Sequence, residues 1–148
     1  MEYKNIKIIT LGPSGVGKTS IINRIIQKNF HENQISTVAI DKSYITKKYT
    51  KKNLILQLNF IDTAGQERFM YSLPKNYIRG SQIILLVFDN LESLDVLKGR
   101  WYNYYKENAN IDNSLFIVVG NKSDLFGDNR EKILELANEF ADDIDAFF

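Results

Sequence analysis

Apolar and polar positions follow two different periods along the chain, and each period predicts a different element. Short continuous apolar runs indicate buried strands, and apolar residues spaced about three or four positions apart indicate helices. Because the two patterns take turns, they predict an α/β fold with a mostly parallel central sheet and helices on both faces. The predicted strands are about Asn5–Leu11, Ala39–Tyr49, Leu54–Ile61, Gln82–Phe88 and Leu115–Val119. The predicted helices are about Lys18–Lys28, a short Phe69–Ile78, Glu92–Asn108 and Arg130–Asp142.

A short polar segment, Thr50–Asn53, joins the second and third predicted strands. So short a connection joins antiparallel strands, and we therefore expect a hairpin at one edge of the sheet. The stretch Asn29–Thr37 has no clear period and is expected to be irregular. The last residues, Ala146–Phe148, resemble a strand that is just beginning.

Length and composition indicate one globular domain over residues 1–148. The hydrophobic content of 44% and the charged content of 25% are ordinary for a soluble protein. A formal net charge of +1 gives no electrostatic reason to expect nucleic acid or an anionic membrane as a partner. The chain has no cysteine, so these residues offer no disulfide, no thiolate metal site and no attachment point for a prenyl group. We expect a cytosolic domain that itself contacts neither nucleic acid nor membrane.

The stretch from Gly12 to Thr19, GPSGVGKT, lies between the first predicted strand and the first predicted helix. It matches the phosphate-binding loop G-x-x-x-x-G-K-[ST] in the strand, loop and helix order that this motif requires. Its glycines let successive backbone N–H groups converge on an anion, and the helix start adds its positive dipole end. Lys18 can bring a charge to the β- and γ-phosphates, and the Thr19 hydroxyl can ligate Mg²⁺. The alternative is a glycine-rich turn before an ordinary helix, but the order of the elements favours a nucleotide site.

Two further polar segments stand where predicted strands end, which is where ligands bind in open α/β sheets. Asp62 follows the third predicted strand, and its carboxylate can hold Mg²⁺ through water, while Gly65 can bring a backbone N–H to the terminal phosphate. The segment NKSD, from Asn121 to Asp124, follows the fifth predicted strand. The Asp124 carboxylate can accept hydrogen bonds from N1–H and the 2-amino group of guanine, a donor pair that adenine lacks. These residues predict a guanine nucleotide and argue against an ATP-using P-loop kinase.

With these segments in order, the chain resembles the small GTPases of the Ras superfamily over nearly its whole length. The sequence DTAGQERF from Asp62 to Phe69, followed by YIRG from Tyr77 to Gly80, resembles the Rab branch, whose members regulate vesicle traffic. The resemblance implies a P-loop NTPase fold, GTP and GDP as substrate and product, and Mg²⁺ as cofactor. It also implies three kinds of protein partner: a guanine nucleotide exchange factor, a GTPase-activating protein and effectors.

The resemblance implies which residues hold the nucleotide. The loop would hold the phosphates mainly through backbone N–H groups, and Phe30 would pack on the guanine. Gly65 would sense the γ-phosphate. The residues expected to bind GTP are Ser14, Gly15, Val16, Gly17, Lys18, Thr19, Ser20, Phe30, Thr37, Gly65, Asn121, Lys122 and Asp124.

The resemblance also implies the metal ligands and the mechanism. Thr19 and Thr37 would ligate Mg²⁺, Thr37 only while the γ-phosphate is present, and Asp62 would act through water. Gln66 would orient the attacking water, so the residues expected in catalysis are Gln66, Lys18 and Thr37. No arginine in the irregular stretch Asn29–Thr37 is placed to act on the γ-phosphate in cis. The resemblance therefore implies unaided turnover on the order of 10⁻⁴ to 10⁻³ per second, a magnitude carried over from the family.

The chain departs from the Rab pattern at Ala39, Lys42 and Ile61 and near its end. Rab proteins usually have Gly, Phe and Trp at these positions, and the two aromatic residues belong to their effector surface, so effector choice is expected to differ. The family continues beyond Phe148 into a Ser-Ala-Lys motif, a last helix and a prenylated tail. We expect a C-terminally truncated domain that is cytoplasmic, with a longer lipidated form at the cytosolic face of endomembranes. The alternative function is a truncated nucleotide-binding or interaction module with negligible GTPase turnover.

Overall fold

The structure is a computed structural model, and it describes residues 1–27, 40–65, 70–71, 75–109 and 111–148. The strands are β1 Glu2–Leu11, β2 Ile40–Tyr49, β3 Leu54–Thr63, β4 Ile83–Phe88 and β5 Leu115–Gly120. Three helices are regular: α1 Lys18–Gln27, α2 Lys75–Ile78 and α4 Arg130–Asp143. Between β4 and β5, α3 consists of Leu91–Val96, a π-helical segment Leu97–Tyr102 and Asn103–Asn108.

The strands form one sheet in the order β2-β3-β1-β4-β5. The strand pairs β1–β3, β1–β4 and β4–β5 are parallel, and only β2–β3 among the described pairs is antiparallel. The predicted sheet and its edge hairpin are therefore confirmed. Because β1, β3, β4 and β5 run in the same direction, their carboxyl ends meet at one edge of the sheet. The phosphate loop, the segment after β3 and the NKSD segment all lie at this carboxyl end of the sheet.

Two apolar clusters hold the helices against the two faces of the sheet, as predicted. Neighbouring residues on a strand point to opposite faces, so Ile8 and Ile9 belong to different clusters. On one face, α1 packs through Ile22 against Ile8 and Phe60. On the other face, α3 and α4 pack through side chains that include the fully buried Trp101 and Ile133. Helices thus cover both faces of the sheet.

Some bounds differ from those predicted. β1 begins at Glu2 because its exposed first residues pair with β3 from Leu54 onward, a contact that leaves no hydrophobic signal. β3 extends to Thr63 because it continues to pair with β2, so Asp62 lies inside the strand. Of the predicted short helix, α2 covers only Lys75–Ile78, and residues 66–69 and 72–74 lie outside the described part.

The last residues pair with β5, in agreement with the strand character predicted for Ala146–Phe148. Phe147 bridges Ile117 of β5 in the parallel sense. The Val118 N–H donates to the Phe147 carbonyl at 2.7 Å, and the Phe147 N–H donates to the Phe116 carbonyl at 3.0 Å. Across the part of the chain that is described, no helix combines the length and the apolar character needed to cross a bilayer.

Candidate functional site

The loop between β1 and α1 is a backbone cradle that only glycine permits at several points. Gly12, Gly15 and Gly17 have φ angles of 150°, 80° and 98°. A Cβ on Gly12 would overlap the carbonyl oxygen of Val87 in β4, and one on Gly17 would overlap the side chain of Asn121. The loop therefore packs tightly against the ends of two strands. The positive φ angles of its glycines allow successive backbone N–H groups to converge on an anion.

Lys18, the first residue of α1, places its charge inside this cradle. Its side chain is buried, and Nζ donates to the carbonyl oxygens of Gly12 and Pro13, each at 2.8 Å. Gly65, just beyond β3, lies so close that a Cβ there would overlap Lys18 Nζ and the backbone of the loop. The structure thus brings together three parts of the predicted phosphate site: the loop, its lysine and the glycine that follows Asp62.

Asp62 and Thr19 converge next to the cradle. Asp62 is buried, its Oδ2 accepts a hydrogen bond from the Thr19 hydroxyl, and its Oδ1 accepts one from the Thr10 hydroxyl at 3.2 Å. Carboxylate and hydroxyl oxygens are the ligands that Mg²⁺ prefers. Because both oxygens lie beside a cradle suited to phosphates, this pair fits the predicted metal site, with Asp62 and Thr19 as its described members.

Asn121 and Lys122, at the end of β5, connect the predicted base site to the phosphate loop. Asn121 Nδ2 donates to the Val16 carbonyl at 2.9 Å, and Lys122 Nζ donates to the Gly15 carbonyl at 2.5 Å. Lys122 has a φ of 54°, a left-handed conformation that is uncommon outside glycine and clusters at functional sites. The two side chains therefore brace the loop from the other end of the site.

Asp124 differs from these two neighbours. It is exposed, and within the described residues its side chain forms no hydrogen bond or ion pair. It lies in a single 3₁₀ turn, Ser123–Leu125, that follows directly on the bracing residues. A carboxylate held near the loop and without a partner of its own can accept hydrogen bonds from a ligand.

Three predicted site residues, Phe30, Thr37 and Gln66, lie outside the described residues. Their roles stay predictions: aromatic packing on the base, a second Mg²⁺ ligand and orientation of the attacking water. Of the loop residues predicted to contact phosphates, Ser14 and Gly15 are exposed and Val16 is buried, while Ser20 is half-buried in α1.

A family model for the Ras family matches residues 7–148. The chain belongs to the Ras family. It is 40% identical over 131 residues to the GTP-binding protein yptV5 of Volvox carteri, covering 85% of this chain and 62% of that protein. It is 36% identical over 135 residues to the Ras-related protein Rab7 of Glycine max, covering 88% and 64%. It is 38% identical over 148 residues to the Ras-related protein Rab-31 of Rattus norvegicus, covering 99% and 73%.

These relatives place the Ras-family chain in the Rab branch, which confirms the predicted resemblance. The chain spans less than two thirds of the length of the Volvox and Glycine proteins.

Two residues of this site were not predicted from the sequence, Thr10 and Asp89. Thr10 has a fully buried hydroxyl in the buried second half of β1, and it meets Asp62 because β1 and β3 pair with Ile9 opposite Ile61. Asp89 follows β4 directly, and its Oδ2 forms an ion pair with Lys122 Nζ at 2.8 Å. The rule that pointed to Asn121, a polar residue where an apolar strand ends, could have found Asp89 as well.

Proposed function

We propose that this chain is a guanine-nucleotide-binding switch that hydrolyses GTP to GDP slowly and regulates vesicle traffic on the cytosolic face of endomembranes. Its partners would be an exchange factor, a GTPase-activating protein and effectors. Membership of the Ras family and the Rab names of its relatives support this proposal. The printed name of the Volvox relative describes that protein as GTP-binding.

One observation carries the proposal: side chains of the NKSD segment donate to the backbone of the phosphate loop. Asn121 bonds the Val16 carbonyl and Lys122 bonds the Gly15 carbonyl. A segment suited to guanine and a loop suited to phosphates are therefore two ends of one site. An ordinary glycine-rich turn does not require hydrogen bonds from side chains that follow a distant strand.

Each predicted site residue would have a physical task in the proposed reaction. Lys18, already desolvated, would meet the charge on the β- and γ-phosphates without having to shed water. Backbone N–H groups of the loop would add further donors, and Asp124 would select guanine. Gln66 would hold water in line with the γ-phosphate, and Thr37 would reach the metal only while that phosphate is present.

Mg²⁺, held by Thr19, Thr37 and, through water, Asp62, would supply positive charge to the transferring phosphoryl group. The hydroxyl of Thr19 and the carboxylate of Asp62 are already side by side. We expect turnover on the order of 10⁻⁴ to 10⁻³ per second without an activating partner, because the sequence of the stretch Asn29–Thr37 contains no arginine that could act on the γ-phosphate.

The first experiment is to denature the purified chain and identify any released nucleotide by chromatography. Stoichiometric GDP or GTP is the expected result. No nucleotide, or an adenine nucleotide, would overturn the proposal.

A second experiment separates hydrolysis from binding. Gln66→Leu should retain GTP binding and lower single-turnover hydrolysis. Gln27→Leu, the same change at the exposed end of α1, should leave the rate unaltered. Equal rates in all three proteins, at the level of GTP in buffer, would indicate a binding module without turnover.

A further inference from the structure

A pocket with a volume of about 430 Å³ lies on the sheet face near β2, and its described lining includes none of the residues predicted to bind the nucleotide. Strand register builds its floor: Tyr44 of β2 stands opposite Asn59 of β3, which stands opposite Lys7 of β1. In the next row, Lys42 stands opposite Ile61. Residues two apart on a strand share a face, so both rows point into the same space. Asn76 and Tyr77 of α2 form the wall.

Lys7 supplies the first positive charge of this pocket. Its Nζ donates to the carbonyl oxygens of Asn76 at 3.0 Å and Arg79 at 2.7 Å, where α2 ends. An ammonium group has three donors, so one N–H is left for a ligand. Burial and, after it, the nearby charge of Lys42 lower the pKa of Lys7 from its ordinary value.

Lys42 supplies the second charge. Its Nζ lies 4.4 Å from the centre of the Tyr77 ring, a cation–π contact that holds the ammonium group at the pocket wall. The side chain belongs to an exposed residue of an edge strand, so its charge is accessible to a partner.

Among the described residues, the pocket offers these lysines no counterion. None of the described lining residues is Asp or Glu, and neither Lys7 nor Lys42 takes part in an ion pair with any described residue. Asp41 is next to Lys42 in sequence, but alternation along β2 directs it to the opposite face of the sheet. The positive charges of Lys7 and Lys42 repel each other, and one carboxylate placed near both would attract each of them.

We propose that this pocket binds the carboxylate of an Asp or Glu side chain presented by a segment of a partner protein. The two ammonium groups would hold the carboxylate, and Ile61 together with the rings of Tyr44 and Tyr77 would contact an apolar neighbour of the acidic residue. A pocket of this size accommodates such a pair of side chains. That this partner is an effector rests on the proposed function, because Lys42 and Ile61 stand at positions that the family resemblance assigns to the effector surface. The preference for a carboxylate follows from the two lysines and does not rest on it.

The test begins with a phage-displayed library of random peptides selected on the full chain. We expect the enriched peptides to share an acidic residue beside an aromatic or aliphatic one. Binding of a synthetic enriched peptide is then measured by fluorescence anisotropy. Lys42→Glu should weaken it about tenfold or more, because an attraction between opposite charges becomes a repulsion between like charges.

Two controls make the result specific to the pocket. Lys48→Glu makes the same charge change on the same face of β2 but outside the pocket, and it should alter affinity less than about twofold. A peptide with Lys in place of its acidic residue should bind Lys42→Glu better than it binds the unaltered chain. Thermal unfolding of each variant confirms that the fold is retained.

Three outcomes would overturn the inference: enriched peptides without acidic residues, equal losses in Lys42→Glu and Lys48→Glu, or Lys42-dependent binding to vesicles of anionic lipid with no peptide binding. Nucleotide chromatography on the same preparation keeps the two proposals separate. Acidic peptides that bind through Lys42 in a preparation without guanine nucleotide would leave this inference standing and remove the proposed function.

Discussion

The phosphate end and the base end of the candidate site are built in different ways. At the phosphate end, Lys18 and Asp62 are buried, and their charged atoms contact carbonyl and hydroxyl oxygens of the chain itself. At the base end, Asp124 is exposed, and the neighbouring Asn121 and Lys122 bond the phosphate loop. At the phosphate end, the same buried residues stabilise the fold and line the site. At the base end, Asn121 and Lys122 hold the loop, and the exposed Asp124 is left to contact the base.

This difference has a consequence for substitutions. A change at the phosphate end disturbs packing or a buried polar network, so we expect it to alter stability and ligand binding together. A change at Asp124 removes only a group that faces solvent, so we expect it to alter specificity alone. Four predictions test this contrast.

The largest effect is expected from Gly12→Ala. The new Cβ would overlap the Val87 carbonyl oxygen at a φ of 150°, so the variant should lose about 3 kcal/mol or more of unfolding free energy in urea titrations. Gly80→Ala is the matched control, with a φ of 72° but open space around it, and should lose about 1 kcal/mol. Equal losses would show that the loop is not packed against β4 as described.

Asp124→Asn should change the base and leave the fold unaltered. Affinity for guanine nucleotides should fall about a hundredfold or more in favour of xanthine nucleotides, because a carboxylate that accepts from two donors becomes an amide. Competition binding measures the preference, and the unfolding free energy should change by less than about 0.5 kcal/mol. Asp128→Asn, at another exposed position nearby, should change neither quantity. An unaltered preference for guanine would remove the base-site assignment.

Thr10→Val tests the buried network around Asp62. Without the Thr10 hydroxyl, Asp62 loses a hydrogen bond that orients it, so Mg²⁺ affinity should fall about tenfold. The measurement is the rate of nucleotide release across a series of Mg²⁺ concentrations. Thr63→Val removes a similarly buried hydroxyl, one that donates to the Thr10 carbonyl at 2.7 Å, and should shift stability without shifting the Mg²⁺ midpoint. The same midpoint shift in both variants would show a general loss of packing.

The smallest effect is expected from Asp89→Asn, which weakens the support of Lys122. The ion pair is partly solvated on the lysine side, so nucleotide release should accelerate only about two- to fivefold. Asp95→Asn, the same change at an exposed position of α3, should not accelerate release. If Asp89→Asn accelerates release as much when Lys122 is already Met, the ion pair is not the cause.

The amino-acid sequence by itself determined the order and type of the elements and the segments that meet at the strand ends. Apolar runs and helical spacing are local signals, and a polar connection as short as Thr50–Asn53 leaves antiparallel pairing as the practical arrangement. The π-helical segment Leu97–Tyr102 gave no such signal, because its apolar spacing is close to that of an ordinary helix.

Only the tertiary structure decided which side chains meet across the molecule. The register of β1 on β3 brings Thr10 to Asp62, and the packing of the β5 end on the loop brings Lys122 to Gly15. The same registers place Lys7 and Lys42 in one pocket. Such contacts join residues far apart in the chain and depend on how whole strands pair and pack. A motif specifies which residues are present in a segment, whereas the free energy that sets strand register is spread over the whole sheet.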